Sequence, residues 1–343
     1  MNNRSSFVDN RITSVRLFCS IMVLFSHLDW IAGNSTDSFR RLGIYAVAVF
    51  FGLSGFLLTD TIFRNGATLV FIKNRLLRIF PGFIGVLFLT SFFLAPVYDA
   101  IKAKEFSYFL TLENILYVFN NITTHSLQAD INGSLVDSSV PIWNPPLWTL
   151  SYELICYFTL FIFFRILGQR SKFVLLAITP TFLFTYLLVR LVGLPIPEPA
   201  NMIFYYFSFF FIGSFVYLIN LHKNLNYVIF LVPFSLMVFL IPRELNTDYF
   251  DNRDLFLGII LVPITLMFCF KPRVKRNITN DYSFGIYIYA APITQLLVLA
   301  FPKIADYWLL FAICTLGVTF IFAWLSWNLI ERPALRLKER MNK

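Results

Sequence analysis

Long apolar runs separated by short polar segments dominate the chain. Each run holds about 20 predominantly apolar residues, which is the length of α-helix needed to cross a hydrocarbon core of roughly 30 Å. The pattern predicts ten membrane-spanning helices, at 13–32, 43–63, 79–98, 147–167, 173–193, 202–221, 226–242, 255–270, 282–301 and 307–329. The run at 226–242 is the weakest because it is short and contains Pro233. The expected fold is an all-α polytopic membrane protein.

Composition supports this class and excludes an ordinary soluble domain. Of the 343 residues, 58% are hydrophobic and 14% are charged, whereas a soluble domain has about 25% charged residues. The mean hydropathy is +0.70. We expect one integral membrane domain over residues 1–343. We expect no cleavable signal peptide, because the first apolar run is long, follows a polar arm and lacks a small-residue cleavage site.

The basic residues predict the orientation of the chain. Lys and Arg are enriched on the cytoplasmic side of membrane proteins. With both termini in the cytoplasm, 20 of the 28 Lys and Arg residues fall in inner segments. The net charge of +9 is spread over many short loops, so it indicates contact with anionic membrane lipids and not with nucleic acid. The long segment 99–146, with a predicted interfacial helix at 106–119, then lies outside and is expected to cover a substrate cleft.

The cysteines and the short motifs indicate neither a metal site nor a disulfide framework. All four cysteines lie in predicted spans, where a thiol behaves as a small apolar group. They are Cys19, Cys156, Cys269 and Cys314. The sequence has no CxxC, HExxH, Walker or GxGxxG pattern, so it offers no basis for metal binding or nucleotide hydrolysis.

Ionisable residues inside spans are costly and are therefore functional candidates. Arg16 and His27 lie eleven residues apart in the first span, which places them on one helix face about 16 Å apart. Histidine takes up a proton near neutral pH and can act as a general base. The alternative is a snorkelling arginine and a core histidine bonded to a backbone carbonyl.

Glu153 lies in an otherwise apolar and aromatic run, PLWTLSYELICYF, at residues 146–158. The span that carries Glu153 runs in the opposite direction to the first span. Counted from the outer ends of the two spans, Glu153 lies at about the same depth as His27. We therefore predict that Glu153 faces His27, fixes the tautomer of the imidazole and stabilises the imidazolium. The alternative is a structural carboxylate that pairs with a donor on another helix.

Two further stretches carry candidate binding residues. In KNRLLRIFP, residues 73–81, Arg75 and Arg78 share a helix face, and arginine suits phosphate oxygens. They resemble ordinary cytoplasmic anchors equally well. In FFGLSGFLL, residues 50–58, the small residues leave room for a thin ligand or permit close helix packing. These small residues are Gly52, Ser54 and Gly55.

Together these stretches resemble the acyltransferase 3 family of integral membrane acyltransferases. The matching elements are Arg-x10-His at Arg16 and His27, FFGLSGFLL, NRLLRIFP, PLWTLSYELICYF and SFGIYIYAAP at 283–292. Each motif is weak alone, but five in order are specific. Many members have a histidine where Ala290 stands, so that position receives no role. Phe284 in place of the usual tyrosine is a milder departure.

The resemblance implies O-acyl transfer, usually of acetyl, from cytoplasmic acyl-CoA (acetyl-CoA) to a carbohydrate hydroxyl. The acceptor would be a cell-surface polysaccharide or its lipid-linked precursor, and the location a bacterial inner membrane. His27 and Glu153 would be catalytic. The residues expected to bind the donor are Arg16, Arg75, Arg78, Gly52, Ser54 and Gly55. The candidate oxyanion donors are Ser151, Tyr152, Trp148 and Asn144.

Two other functional classes fit a polytopic chain with buried charges. A transporter or glycan flippase often shows inverted repeats with helices broken at corresponding positions, and the sequence shows no such correspondence. A non-catalytic scaffold or sensor would not need His27 and Glu153 at matched depth. The acceptor sugar, the acyl chain length and the oligomeric state are not encoded in any pattern that we recognise.

Overall fold

A computed structural model describes residues 11–33, 37–103, 111–223, 252–270 and 280–341. These residues are helical, with turns between the helices and no strand, which confirms the all-α prediction. The α-helices in this part of the chain are α1 (Ile12–Ile31), α2 (Asp37–Asn65), α3 (Leu69–Leu89), α4 (Ala95–Ala103), α5 (Leu112–Asn121), α6 (Thr149–Leu167), α7 (Ser171–Val192), α8 (Glu198–Leu218), α9 (Asn252–Cys269), α10 (Ser283–Ala300), α11 (Trp308–Ser326) and α12 (Arg332–Met341).

Nine helical segments of the described residues are long and apolar enough to cross a membrane. They confirm nine of the ten predicted spans, and the tenth, 226–242, lies outside the described residues. The third segment runs over Leu69–Lys102, well beyond the predicted 79–98. It is longer because α3 begins before Pro81 and continues through a π-helical turn, Thr90–Leu94, into α4.

The outward faces of these helices are apolar. Large side chains exposed on α6, α7 and α11 include Ile166, Phe173, Phe184 and Leu309. Water would penalise so much apolar surface, whereas lipid chains solvate it and leave the helical backbone bonds intact. The surface composition therefore agrees with a membrane location.

The chain divides into two compact units. Unit 1 comprises Met1–Cys19, Ile44–Ile72 and Tyr152–Thr279, and unit 2 comprises Ser20–Gly43, Lys73–Ser151 and Asn280–Lys343. The boundaries fall inside α1, α2, α3 and α6, so each of these helices contributes residues to both units.

In unit 1, glycines bring α2 and α8 into backbone contact. A side chain added at Gly55 would overlap the carbonyl of Phe210, and one added at Gly213 would overlap the carbonyl of Gly52. Small residues allow this approach in membranes, where close packing replaces the hydrophobic effect as the force between helices. The close packing of Gly52 and Gly55 matches the packing alternative raised from the sequence, and their role in binding the donor stays a prediction.

Polar side chains join further helices of unit 1. The Arg190 guanidinium on α7 donates to Asn252 Oδ1 at 2.7 Å, and the Tyr186 hydroxyl donates to Asn201 Oδ1 on α8 at 2.7 Å. Tyr45 on α2 donates to a carboxylate oxygen of Asp254 on α9 at 2.6 Å. These bonds satisfy groups that would be expensive to leave unpaired in an apolar surrounding.

In unit 2, α10 and α11 pack closely, because Gly285 leaves space for the backbone of Ala323. The segment before α6 packs against α10. Helix α5 begins with a capping box in which Thr111 and Asn114 bond reciprocally, and Trp143 is fully buried. Helix α5 covers much of the helix predicted at 106–119, whose first residues lie outside the described part of the chain.

Residues 139–146, which we call the strap, connect this segment to α6. Val140 packs with Ile31 of α1 and Ala291 of α10. The side-chain amide of Gln295 on α10 donates to the Val140 carbonyl at 2.8 Å. At its far end, the Pro146 carbonyl accepts a hydrogen bond from the Tyr287 hydroxyl at 2.9 Å. The strap is thus held at both ends by α10.

We expect Gly55→Ala to lower stability by about 1–3 kcal/mol, because the added methyl group forces α2 and α8 apart. Thermal unfolding of the purified protein in detergent measures the change. Gly317→Ala is the matched control. Nothing lies within 4 Å of a side chain placed at Gly317, so alanine there should be neutral or slightly stabilising. Equal melting temperatures for the two variants would contradict the packing role.

Candidate functional site

His27 lies on α1 with one ring nitrogen committed to the backbone. Its Nδ1 is 2.8 Å from the Val23 carbonyl oxygen. A carbonyl oxygen only accepts, so Nδ1 carries the hydrogen in this bond. Nε2 then holds the lone pair, which is the form that a general base requires. The backbone contact matches the structural alternative for this histidine, and it also leaves a nitrogen able to accept a proton.

Ser26 shares the same carbonyl and helps to fix the ring. Its hydroxyl donates to the Val23 oxygen at 2.7 Å and lies 3.2 Å from His27 Nδ1. Gly43 makes room for this serine, because a side chain there would overlap the Ser26 hydroxyl. All of these residues belong to unit 2. The half-buried imidazole is therefore oriented by its own helix.

In unit 1, Glu153 is held by two hydroxyl groups. Ser54 donates to Glu153 Oε1 at 3.0 Å, and the Tyr157 hydroxyl donates to the same oxygen. Hydroxyl groups orient a carboxylate without cancelling its charge, unlike a salt bridge. The structure therefore joins two motifs that the sequence analysis treated separately, the FFGLSGFLL stretch of α2 and the PLWTLSYELICYF stretch of α6.

Tyr157 was not singled out from the sequence, although one signal pointed to it. It follows Glu153 by four residues, and side chains four apart share a helix face. Ser54, expected to bind the donor, is instead a partner of Glu153 in the structure. His27 and Glu153 belong to different units, so their pairing stays a prediction.

Arg78 on α3 contacts two carboxylates in unit 2. One guanidinium nitrogen lies 2.6 Å from Asp281 Oδ2 and another lies 3.4 Å from Glu331 Oε2. Glu331 is only 2% exposed and also accepts a hydrogen bond from Ser326 at 3.0 Å. The guanidinium also lies over the Phe284 ring at 6.0 Å. Arg78 thus ties α3 to the residues just before α10 and to the turn between α11 and α12.

This cluster changes the expected role of Arg78. Two carboxylates already occupy its guanidinium, so a phosphate would have to compete with both. The position agrees better with the anchoring alternative than with donor binding. Asp281 and Glu331 were missed by the sequence analysis, although a carboxylate at the end of an apolar run is an available signal. Arg16 and Arg75 are half-buried in units 1 and 2 respectively, and their phosphate role stays a prediction.

Three of the four candidate oxyanion donors use their hydrogens elsewhere. The Ser151 hydroxyl donates to the Thr124 carbonyl at 2.7 Å, and the Tyr152 hydroxyl donates to the Met202 sulfur at 3.2 Å. The Asn144 amide donates to the Tyr117 hydroxyl at 2.7 Å and to Thr90 at 3.2 Å. Trp148 is half-buried.

Away from these clusters, His125 is exposed, and its Nδ1 lies 3.0 Å from the Thr123 carbonyl oxygen. Within the described residues, no group of three or more His, Cys, Asp or Glu side chains could hold a metal ion.

Comparison with known families assigns the chain to one family. A family model described as "Acyltransferase domain" matches residues 9–327. The chain belongs to the acyltransferase 3 family. Nearly its full length is covered, so the five motifs lie in one family domain, as the resemblance indicated. The nine spans and this membership together identify a membrane acyltransferase.

Two curated relatives resemble this acyltransferase along their whole lengths. An "O-acetyl transferase" of Shigella phage Sf6 is 27% identical over 354 residues, covering 95% of this chain and 96% of the relative. "Nodulation protein 10" of Rhizobium leguminosarum bv. viciae is 26% identical over 369 residues, covering 98% and 96%. No solved structure matches significantly.

We expect Arg78→Gln to destabilise the acyltransferase by about 3 kcal/mol, because it leaves the buried Glu331 carboxylate without its cation. Adding Glu331→Gln to that variant should recover part of the loss, since the unpaired charge is then gone. Thermal unfolding in detergent measures both effects. Arg332→Gln, which changes an exposed arginine, is the control and should have little effect.

An unchanged melting temperature for Arg78→Gln, together with a raised KM for acetyl-CoA, would contradict the anchoring role. That result would return Arg78 to the set of donor-binding residues.

Proposed function

We propose that this acyltransferase moves an acetyl group from cytoplasmic acetyl-CoA to a hydroxyl of a carbohydrate, with His27 as the general base. The observation that carries the proposal is the bond from His27 Nδ1 to the Val23 carbonyl. It leaves Nε2 unprotonated on a ring that its own helix orients. A base must be present in the correct tautomer before the acceptor arrives, and this contact supplies it.

The chemical step follows from that tautomer. His27 Nε2 takes the proton of the acceptor hydroxyl while the hydroxyl oxygen attacks the thioester carbonyl. The carbonyl carbon becomes tetrahedral and its oxygen gains negative charge. Collapse of this intermediate breaks the carbon–sulfur bond, and the coenzyme A thiolate takes the proton from the imidazolium. The products are an acetyl ester and free coenzyme A, and His27 is again neutral.

Glu153 is proposed to stabilise the imidazolium. Its charge is not cancelled by Ser54 or Tyr157, because both are neutral donors. A carboxylate near a histidine favours the protonated ring, so it lowers the barrier to proton abstraction. The sequence suggested that Glu153 sets the tautomer of His27. Because the Val23 carbonyl already accepts the hydrogen of Nδ1, Glu153 would instead act mainly through its charge.

The donor is proposed to approach from the cytoplasmic side. Arg75 and Arg16 are the arginines proposed to bind the coenzyme A phosphates, since arginine binds phosphate oxygens in a forked geometry. Arg78 is proposed to hold α3 in place, through the two carboxylates that contact it. Arg16 and His27 lie eleven residues, or about 16 Å, apart along α1, a separation that requires a long donor such as acetyl-CoA.

The acceptor and the location are proposed from the relatives. The phage relative is named an O-acetyl transferase, which supports acetyl as the group and oxygen as the acceptor atom. Both relatives come from a phage or a bacterium, which supports a bacterial inner membrane. A surface polysaccharide or its lipid-linked precursor offers hydroxyls at that membrane.

The direct test uses purified protein in detergent with acetyl-CoA labelled in the acetyl group and bacterial surface glycan as acceptor. Label should appear in the glycan as a base-labile ester, with one free coenzyme A released for each ester formed. A transporter or flippase, the alternative from the sequence, would leave the label on coenzyme A. That outcome would overturn the proposal.

His27→Ala should lower kcat at least about 100-fold, because it removes the base from the transfer step. The melting temperature should change little, since the hydrogen bonds that the structure shows for His27 are to residues of its own helix. His125→Ala is the matched control, because it removes an exposed imidazole of the same unit. Full transfer activity in His27→Ala would end the assignment of the base.

Glu153→Gln should lower kcat about tenfold or more while the KM for acetyl-CoA stays close to the wild-type value. The amide oxygen keeps the bonds from Ser54 and Tyr157 but lacks the charge that stabilises the imidazolium. Steady-state kinetics measures both constants. Ser54→Ala, which keeps the charge, should lose much less activity. Equal losses in the two variants would point to a structural carboxylate.

A further inference from the structure

Asn144, in the strap, precedes a helix but does not cap it with its side chain. An asparagine before a helix normally accepts a hydrogen bond from a backbone N–H in the first turn. Asn144 precedes a short 3-10 helix, Pro145–Trp148, that leads into α6. The first two residues of this 3-10 helix are prolines, which have no N–H. The next N–H, of Leu147, donates to the main-chain carbonyl of Asn144 at 3.2 Å. The side chain makes no capping bond.

The Asn144 amide is instead turned toward two hydroxyl groups. Its Nδ2 lies 2.7 Å from the Tyr117 hydroxyl and 3.2 Å from Thr90 Oγ1, so both amide hydrogens are donated. Burial raises the pKa of Tyr117, which keeps that hydroxyl protonated. Asn144 is 3% exposed. Its Oδ1 is buried and has no hydrogen-bond partner among the residues that the structure describes.

Three elements meet at this amide group, whose nitrogen is held by two of them. Tyr117 comes from α5, Asn144 from the strap, and Thr90 from the first position of the π-helical turn after α3. Such turns are rare and occur frequently at functional sites. A buried acceptor that lacks a donor costs free energy. An arrangement that both orients the amide and leaves its oxygen unpaired therefore points to a ligand that supplies the donor.

The strap places this oxygen near the helix that carries His27. Val140 packs against Ile31, which lies one helical turn beyond His27 on α1. Asn144 follows Val140 by four residues, and four residues of fully extended chain span at most about 14 Å. All of these residues belong to unit 2. A ligand bound at Asn144 therefore lies at the same end of α1 as the proposed base.

We propose that Asn144 Oδ1 accepts a hydrogen bond from a hydroxyl of the carbohydrate acceptor and so orients the acceptor for transfer. The inference rests on the proposed function, which supplies the carbohydrate. A sugar hydroxyl has the hydrogen that the oxygen needs, whereas an ionised phosphate or carboxylate has none and is repelled. Because both amide hydrogens are engaged, Asn144 is a binding residue and not the oxyanion donor suggested by the sequence.

The test measures sugar binding by the full chain in lipid nanodiscs. The probes are the methyl α-glycosides of glucose, galactose and mannose, with affinities from isothermal titration or saturation-transfer NMR. Asn144→Leu removes the oxygen, and we expect the affinity for the best probe to fall about tenfold or more. Asn120→Leu, a change at an exposed asparagine, is the matched control and should have no effect.

A set of monodeoxy probes identifies the hydroxyl without depending on any one variant. The wild type should bind one monodeoxy derivative about tenfold more weakly than its parent. Asn144→Leu should bind that derivative and its parent equally. The hydrogen bond is already lost in this variant, so removing the sugar hydroxyl has no further effect on it. The proposal is overturned if the two losses add, or if wild type and Asn144→Leu bind every probe equally.

Transfer assays with labelled acetyl-CoA on the same samples separate this inference from the proposed function. If the wild type transfers no acetyl group but its sugar binding depends on Asn144, the proposed function is contradicted and the binding role is kept. Transfer by the wild type with unchanged kinetics in Asn144→Leu would keep the function and remove the binding role. A raised KM for acetyl-CoA in Asn144→Leu, with unchanged sugar affinity, would assign the oxygen to the donor and overturn the inference.

Discussion

The hydrocarbon core of a membrane contains almost no water, and this constraint governs where polar side chains lie in the acyltransferase. A polar group inside a span must find its partner within the protein. Arg190 meets Asn252, Tyr45 meets Asp254, and Arg78 meets two carboxylates. These bonds hold helices together because the alternative, an unpaired group in an apolar medium, is so costly.

The chemistry is proposed to reside in the atoms that these internal bonds leave available. The Nδ1 of His27 is used by the backbone, which leaves Nε2 for a proton. The two hydrogens of the Asn144 amide are used by hydroxyl groups, which leaves its oxygen for a ligand. Glu153 is oriented by two hydroxyl groups, neither of which brings an opposing charge. In each case the same contact that satisfies one atom also sets the direction of another.

Much of the fold and part of the candidate site could be predicted from the sequence. Nine spans followed from apolar length alone, and His27 and Glu153 were found because ionisable groups are conspicuous in apolar runs. The partners of Arg78 could not be found in this way, since 203 and 253 residues separate them from it along the chain. The contact of Gly55 with Phe210 could not be located from the sequence, because the backbone that fills its space belongs to a distant helix. The pairing of His27 with Glu153 stays a prediction.

The long chain separation of the Arg78 contacts has a consequence for biogenesis. Synthesis proceeds from the N-terminus, so α3 reaches the membrane long before Asp281 and Glu331 have been made. Until then its guanidinium has neither carboxylate and must stay near the lipid headgroups or water. The arrival of the last spans then neutralises it and locks α3 in place. A ribosome stalled before residue 281 would leave a nascent chain whose third helix is inserted but not yet anchored, and therefore open to quality-control proteases.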